Sequence, residues 1–300
     1  MKNLRIKLEF RLYLVVFVFW LISYLCIKKD DLLNVIQSSL PPREAALLMG
    51  MVWGEDELLS SDMYRMLVNS GLIHIVVVSG ANLMILGKAL IENLAKYFGR
   101  KVAIVGGGGI LLIYVNLVGW EIPVVRAILF LGIYYWSQLL GRRFNMTRSF
   151  FVVGLVMILA DYKILGNVSF WLSMLAFTAI ILNRKSGVLQ NTIWVNIFVL
   201  PVISIYFGKI SFLTVVSNLM VLFLVEILTI MGFLGSVIGL LCFKLGSLII
   251  VFSYPLLRYF IEVVEYMGGI GGVFDFKFNW WLLTGWYLLI AVYWYEKNKI

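Results

Sequence analysis

Charge and histidine are what this chain lacks. Asp, Glu, Lys and Arg make up 14% of its 300 residues, where a soluble domain carries about 25%. There is one histidine, His74, which excludes the multi-histidine site of a di-metal hydrolase. It also leaves a serine nucleophile without a well-placed base, because His74 and Ser79 stand about 140° apart around a regular helix. Cysteine is equally sparse. Cys26 and Cys242 lie far apart in apolar runs, which excludes a disulfide framework or thiolate metal cluster and makes both read as buried thiols. The glycine run Gly106 to Gly109 has no Lys and no Ser or Thr after it. It reads as a close-packing site, and the chain has no nucleotide-binding loop.

What is abundant is apolar side chain: 62% of residues are hydrophobic and the mean hydropathy is +0.97. No water-soluble fold hides that fraction. Only helices and closed barrels satisfy their backbone in hydrocarbon, and the apolar runs here are continuous rather than alternating. The fold expected is therefore all-α, a polytopic transmembrane helical bundle of about ten spans with broken or re-entrant helices among them. At about 20 residues per span the runs are Leu12 to Ile27, Gly71 to Ile91, Val102 to Val118, Pro123 to Leu140, Ser149 to Leu165, Val168 to Asn183, Val188 to Phe207, Ser211 to Phe243, Leu245 to Met267 and Trp280 to Tyr295. The run from Ser211 is too long for one straight span and carries Glu226, so a kink or break is expected there. The first run follows a basic stretch but has no small-residue cleavage site, so residues 1–30 read as a retained anchor.

The net charge of +9 says little about nucleic acid, because membrane proteins gather Lys and Arg in cytoplasmic loops. Threading the chain with its N-terminus inside puts Lys2 to Arg11, Lys88 to Lys101, Arg142 to Arg148, Arg184 with Lys185, Lys244, and Lys297 with Lys299 on one side. Both termini are then cytoplasmic. The polar stretch from Lys28 to Ser70 falls outside, and residues 31–70 form an acidic, amphipathic segment ahead of a multi-pass domain over 71–300. Within it Pro41-Pro42 opens a helix that runs into the apolar Ala45 to Trp53, an amphipathic or shallowly inserted element. Glu55, Asp56 and Glu57 read as solvated surface rather than a metal site.

Polar groups inside spans mark function or helix packing. The second span holds His74, Ser79, Gly80 and Asn82. The fourth opens Gly119-Trp-Glu121-Ile-Pro123-Val-Val-Arg126, with Pro123 in the first turn and Arg126 one turn inside. A guanidinium there needs a carboxylate, carbonyls or a phosphate, and Glu121 and Glu226 are the available carboxylates. Asn218 and Glu226 share one helical face, and Ser169 and Ser173 lie one turn apart. These residues fit a polar conduit, a proton-coupled small-molecule transporter using Glu226, His74 and Arg126, or a membrane scaffold whose buried polar groups only fix packing.

Taken together, the motifs resemble the membrane domain of the ComEC competence family, through which transformable bacteria import single-stranded DNA. The resemblance runs from Leu40-Pro-Pro-Arg-Glu-Ala-Ala-Leu-Leu-Met-Gly50 through Asn69 to Asn82, Gly119 to Ala127, Gly141-Arg142, Ser169 to Ala176, Pro201, Phe207 to Ser211 and Asn218. It departs at Asn82, where the family commonly has a second histidine, and so loses titration and metal ligation there. It also lacks room for the family's extracytoplasmic nucleic-acid-binding and metallo-β-lactamase-like domains. The resemblance implies a non-enzymatic DNA conduit in a bacterial cytoplasmic membrane, without cofactor or metal. It would be lined by His74, Ser79, Gly80, Asn82, Glu121, Arg126, Ser173, Asn218 and Glu226, with an interruption of the helix at Ser79-Gly80. Its expected partners are single-stranded DNA, lipids, a separate DNA receptor, nuclease and cytoplasmic motor, and a second copy of itself.

Overall fold

Three short helices come first in the computed structural model, which describes residues 28–76, 79–183, 187–211, 213–270 and 273–297. They are α1 (Lys29–Gln37), α2 (Pro42–Trp53) and α3 (Ser61–Ser70). The expected span Leu12 to Ile27, with Cys26 and the basic residues before it, lies outside the described residues, as do Val77, Val78, Arg184, Lys185 and Lys299. α1 and α3 are amphipathic and bury Leu32, Val35 and Ile36, and Met63 and Leu67. α2 is different. Pro42 pre-sets its first turn, and its apolar run has no polar face to offer a surface. Ten of its 12 residues, Glu44 through Trp53, are buried. Instead of lying shallowly at the boundary, α2 stands in the middle of one hydrophobic cluster shared with helices as distant as Met267. Glu44 and Glu55 meet Arg258 and Lys29 respectively, and Arg43 bonds Glu265 at 2.8 Å, so part of the acidic character of this segment is spent on fastening it.

The helices that follow are α4 (Ile73–Val76), α5 (Gly80–Phe98), α6 (Arg100–Val118), α7 (Ile122–Leu139), α8 (Met146–Ala160), α9 (Val168–Leu182), α10 (Val188–Phe207), α11 (Thr214–Leu241), α12 (Phe243–Phe252), α13 (Tyr254–Gly269) and α14 (Trp280–Lys297). Two three-residue strands, β1 (Lys209–Ser211) and β2 (Val273–Asp275), pair antiparallel with Ile210 opposite Phe274. Among the described residues five stretches are long and apolar enough to cross a membrane: Ile73–Phe98, α6, α7, Leu189–Tyr206 and α11. A sixth counts if α12 and α13, bent by 40°, form one broken span. The expectation of about ten spans is corrected accordingly, for reasons the chain supplies. Asp161 accepts from the Lys163 amide at 3.0 Å and starts a separate 3₁₀ turn, Tyr162–Gly166, so the run expected over Ser149 to Leu165 is split. α8 and α9, 15 residues each, reach only about 22 Å against a hydrocarbon layer of about 30 Å. In α14 seven of 18 residues are Trp or Tyr, which keeps its mean hydropathy below that of an apolar span.

The break expected inside Ser211 to Phe243 is not there. α11 is one helix of 28 residues, about 42 Å long, and the chain turns only at Cys242, which is exposed rather than buried. α12 folds back along α11 with backbones in contact. A side chain on Gly246 would overlap Gly239 and the Gly235 carbonyl, the small-residue packing that brings membrane helices together. A satellite cluster joins α7 to α8 and α9 through Phe130, Phe150, Val153 and Phe170, and the Phe150 and Phe177 rings stack 4.2 Å apart.

Pro201 falls inside α10. Having no N–H, it leaves the carbonyl four residues earlier, that of Ile197, without its helical donor. The Trp286 indole of α14 donates to that carbonyl at 3.0 Å, and the Tyr287 hydroxyl donates to the next one, Phe198, at 2.7 Å. The same helix holds the loop before α14 through Ser204, whose hydroxyl donates to the Phe276 carbonyl and accepts from the Phe278 amide.

Candidate functional site

Ser79, immediately ahead of α5, is not helical. Its backbone is extended (φ −103°, ψ 155°), and its hydroxyl accepts from the Asn82 amide at 3.3 Å, capping α5. Ser79 satisfies one of the orphan donors at a helix start, which is why a serine ahead of an apolar run ends one helix and opens another.

Gly80, the first residue of α5, sits against the first turn of α7. A Cβ there would stand 2.7 Å from the Pro123 carbonyl, 3.1 Å from the Arg126 guanidinium and 3.3 Å from Ala127. Only glycine allows so close an approach. Two helix N-termini, each with a partial positive charge, are thus brought together beside a guanidinium. Arg126 is half-buried and, among the described residues, makes no ion pair or hydrogen bond. The two expected carboxylate partners are not paired with it, which corrects that expectation. Glu121 stands exposed at the N-cap of α7, five residues and about 140° around the axis from Arg126. Glu226 lies exposed on a face of α11 that also carries Leu219, Phe223 and Ile227.

His74 has an exposed surface, and its short helix α4 lies against α2, with Val76 beside Gly50. Asn82 is fully buried, and its role is legible in its partner. Its amide donates to the Met51 carbonyl at 2.9 Å, while the Tyr114 hydroxyl of α6 donates to the Val52 carbonyl at 2.6 Å. The last carbonyls of a helix have no donors within it. Those of α2, deep in the core, are supplied by two other helices, while Gly54 and Glu55 close on the Gly50 and Met49 carbonyls. Tyr114 escaped the sequence reading, because a tyrosine in an apolar run gives no sign of what its hydroxyl meets.

The remaining expected residues are dispersed. Ser173 donates to the Phe170 carbonyl of its own helix, α9, at 2.9 Å. Asn218 is buried in the first turns of α11 beside Ser217, and both have a polar atom without a partner. That turn reaches the α3–α4 junction, where Thr214 fills the space next to Gly71. The structure therefore brings Ser79, Gly80 and Arg126 together, with Glu121 exposed at the N-cap of the same helix as Arg126, turns Asn82 to the end of α2, and leaves His74, Ser173 and Glu226 apart. Lys88, expected in a loop, is exposed within α5.

A model of the Competence protein family matches residues 51–299. The chain belongs to the Competence protein family. The match spans the last three residues of α2 through α14, so the capped end of α2, the Ser79 break and Arg126 all fall within it. Family membership, together with the long apolar helices, makes this a membrane protein. The chain is similar to an uncharacterized protein of Aquifex aeolicus (strain VF5), at 28% identity over 214 residues, which are 70% of this chain and 49% of that protein. It thus spans about half the length of that curated relative. No solved structure matches it.

Proposed function

We propose that this protein conducts single-stranded DNA across a bacterial cytoplasmic membrane during DNA uptake, both termini being cytoplasmic, and that Arg126 at the α5–α7 junction contacts the phosphates as the strand passes. The observation that carries this reading is the unpaired guanidinium. Arg126 lies one turn inside the spanning helix α7, where a half-buried cation is costly, though less so than the about 3 kcal/mol of the helix centre, and proteins normally offset that with a carboxylate. Here it is set against two helix N-termini, a combination that favours an anion, and a DNA backbone supplies anions at regular spacing. One such group gives a transient hold, as conduction requires. The protein is a passage rather than an enzyme, needing no cofactor; a motor, a nuclease and a receptor are separate polypeptides. A proton-coupled small-molecule transporter is less well supported, because Glu226, the acid it needs, is not paired with Arg126.

The test is uptake of labelled single-stranded DNA into vesicles holding the purified protein. Arg126→Ala lowers uptake strongly and Arg126→Lys keeps part of it. Loss of one phosphate contact also reduces the slope of log affinity against log salt by about 0.7. Unchanged uptake and slope in a normally inserted Arg126→Ala protein would refute the reading.

A further inference from the structure

Where the C-terminal end of α9, the first turns of α10 and the last turns of α14 meet, a half-open cleft of about 40 Å³ is walled by Trp194, Phe198, Ile290, Tyr293 and Trp294, with Asn183 among its lining residues. The Trp194 ring lies 5.4 Å from that of Tyr293 and 6.2 Å from that of Phe198. Asn183 is only 8% exposed, and its side-chain NH₂ has no hydrogen-bond partner. A buried amide left without a partner is costly, and here it lines an aromatic cleft from which no carboxylate projects. The lack of an acid makes the cleft a poor seat for an organic cation. A flat heterocycle with acceptor atoms on its edge suits it better, since the amide donates to the edge and the rings take the face.

We propose that this cleft is a stacking site for one unpaired nucleobase of the strand the protein carries, an inference that rests on the reading of the protein as a DNA conduit. The enclosed volume takes the edge of a base, while Tyr293 and Trp294, 52% and 40% exposed, offer ring faces outside it. Aromatic rings on which bases stack are one way in which single strands are held without sequence preference. In the proposed threading α10 begins on the cytoplasmic side, so the base is held as the strand leaves the membrane.

The experiment compares two probes on the full chain in lipid nanodiscs: a fluorescent oligothymidylate, and an abasic oligomer of the same length and charge. For oligothymidylate, Asn183→Leu and Tyr293→Leu each weaken binding about tenfold, and the abasic oligomer binds both variants as it binds the unaltered protein. Arg126→Ala weakens both probes. Because Tyr293 is half-exposed, its variant keeps the fold even if Asn183→Leu does not. Equal affinity of the unaltered protein for the two probes, or pocket variants that bind oligothymidylate normally, would overturn the base site; this is also the result if a lipid headgroup occupies the cleft. If Arg126→Ala still weakens binding in that case, the conduit reading stands alone. No binding of either probe overturns both.

Discussion

Replacing Tyr114 by Phe deletes one oxygen and leaves the ring packing against Trp53 and Phe233 unchanged. What is lost is the 2.6 Å donation to the Val52 carbonyl at a helix end that water does not reach. Hydrogen bonds between membrane helices are worth about 0.6 kcal/mol on average and up to about 1.7, and leaving a buried carbonyl bare raises the cost toward about 1–3 kcal/mol. Tyr114→Phe is therefore expected to cost about 1.5 kcal/mol, a factor of about ten in the unfolding equilibrium. Asn82→Ala removes the neighbouring cap on Met51 and costs about as much, plus the cavity it leaves. The two caps serve one turn of α2, so the double variant departs from additivity by about 0.5 kcal/mol or more. Reversible unfolding in mixed micelles, followed by tryptophan fluorescence, reads all three differences. Stability within about 0.3 kcal/mol of the unaltered protein for Tyr114→Phe, or strict additivity in the cycle, would refute the claim that the end of α2 is capped from outside.

Gly80→Val should push α7 off α5, because even a Cβ meets the Pro123 carbonyl at 2.7 Å. The cost is about 1–3 kcal/mol, with DNA uptake falling by more than stability predicts; a variant that is stable and fully active would remove the junction from the site. Trp286→Phe keeps the aromatic bulk of α14 but bares the Ile197 carbonyl, so the separation of α10 from α14, measured between paired spin labels, should broaden. An unchanged distance distribution would show that packing alone holds α14.

How much of this was legible in the sequence differs from site to site. The break at Ser79 and the start of α7 at Ile122-Pro123 follow from local chemistry, a capping hydroxyl and a fixed φ, and both could be read directly. The meeting of Gly80 with Arg126 depends on which helices pack together, and periodicity does not report that. The same is true of Asn82, a polar residue in a span whose partner is a carbonyl 31 residues away. The count of spans failed for a local reason. Hydropathy continues past Ala160, but Asp161 diverts the backbone into a tight turn before a bilayer's depth is covered. The aromatic cleft was invisible because Trp194 and Tyr293 look like any other interfacial aromatics until three helices converge.

The proline in α10 also bears on how the protein is made. Its freed carbonyl at Ile197 waits for a donor 89 residues further along the chain, and at ribosomal rates that stretch takes on the order of ten seconds to emerge. During synthesis α10 is thus an unfinished span with a bare polar notch, and its final shape is set only when the Trp286 indole arrives. Insertion machinery must shelter that notch, or lipid must tolerate it, until the last described helix docks. α14 completes a helix made much earlier.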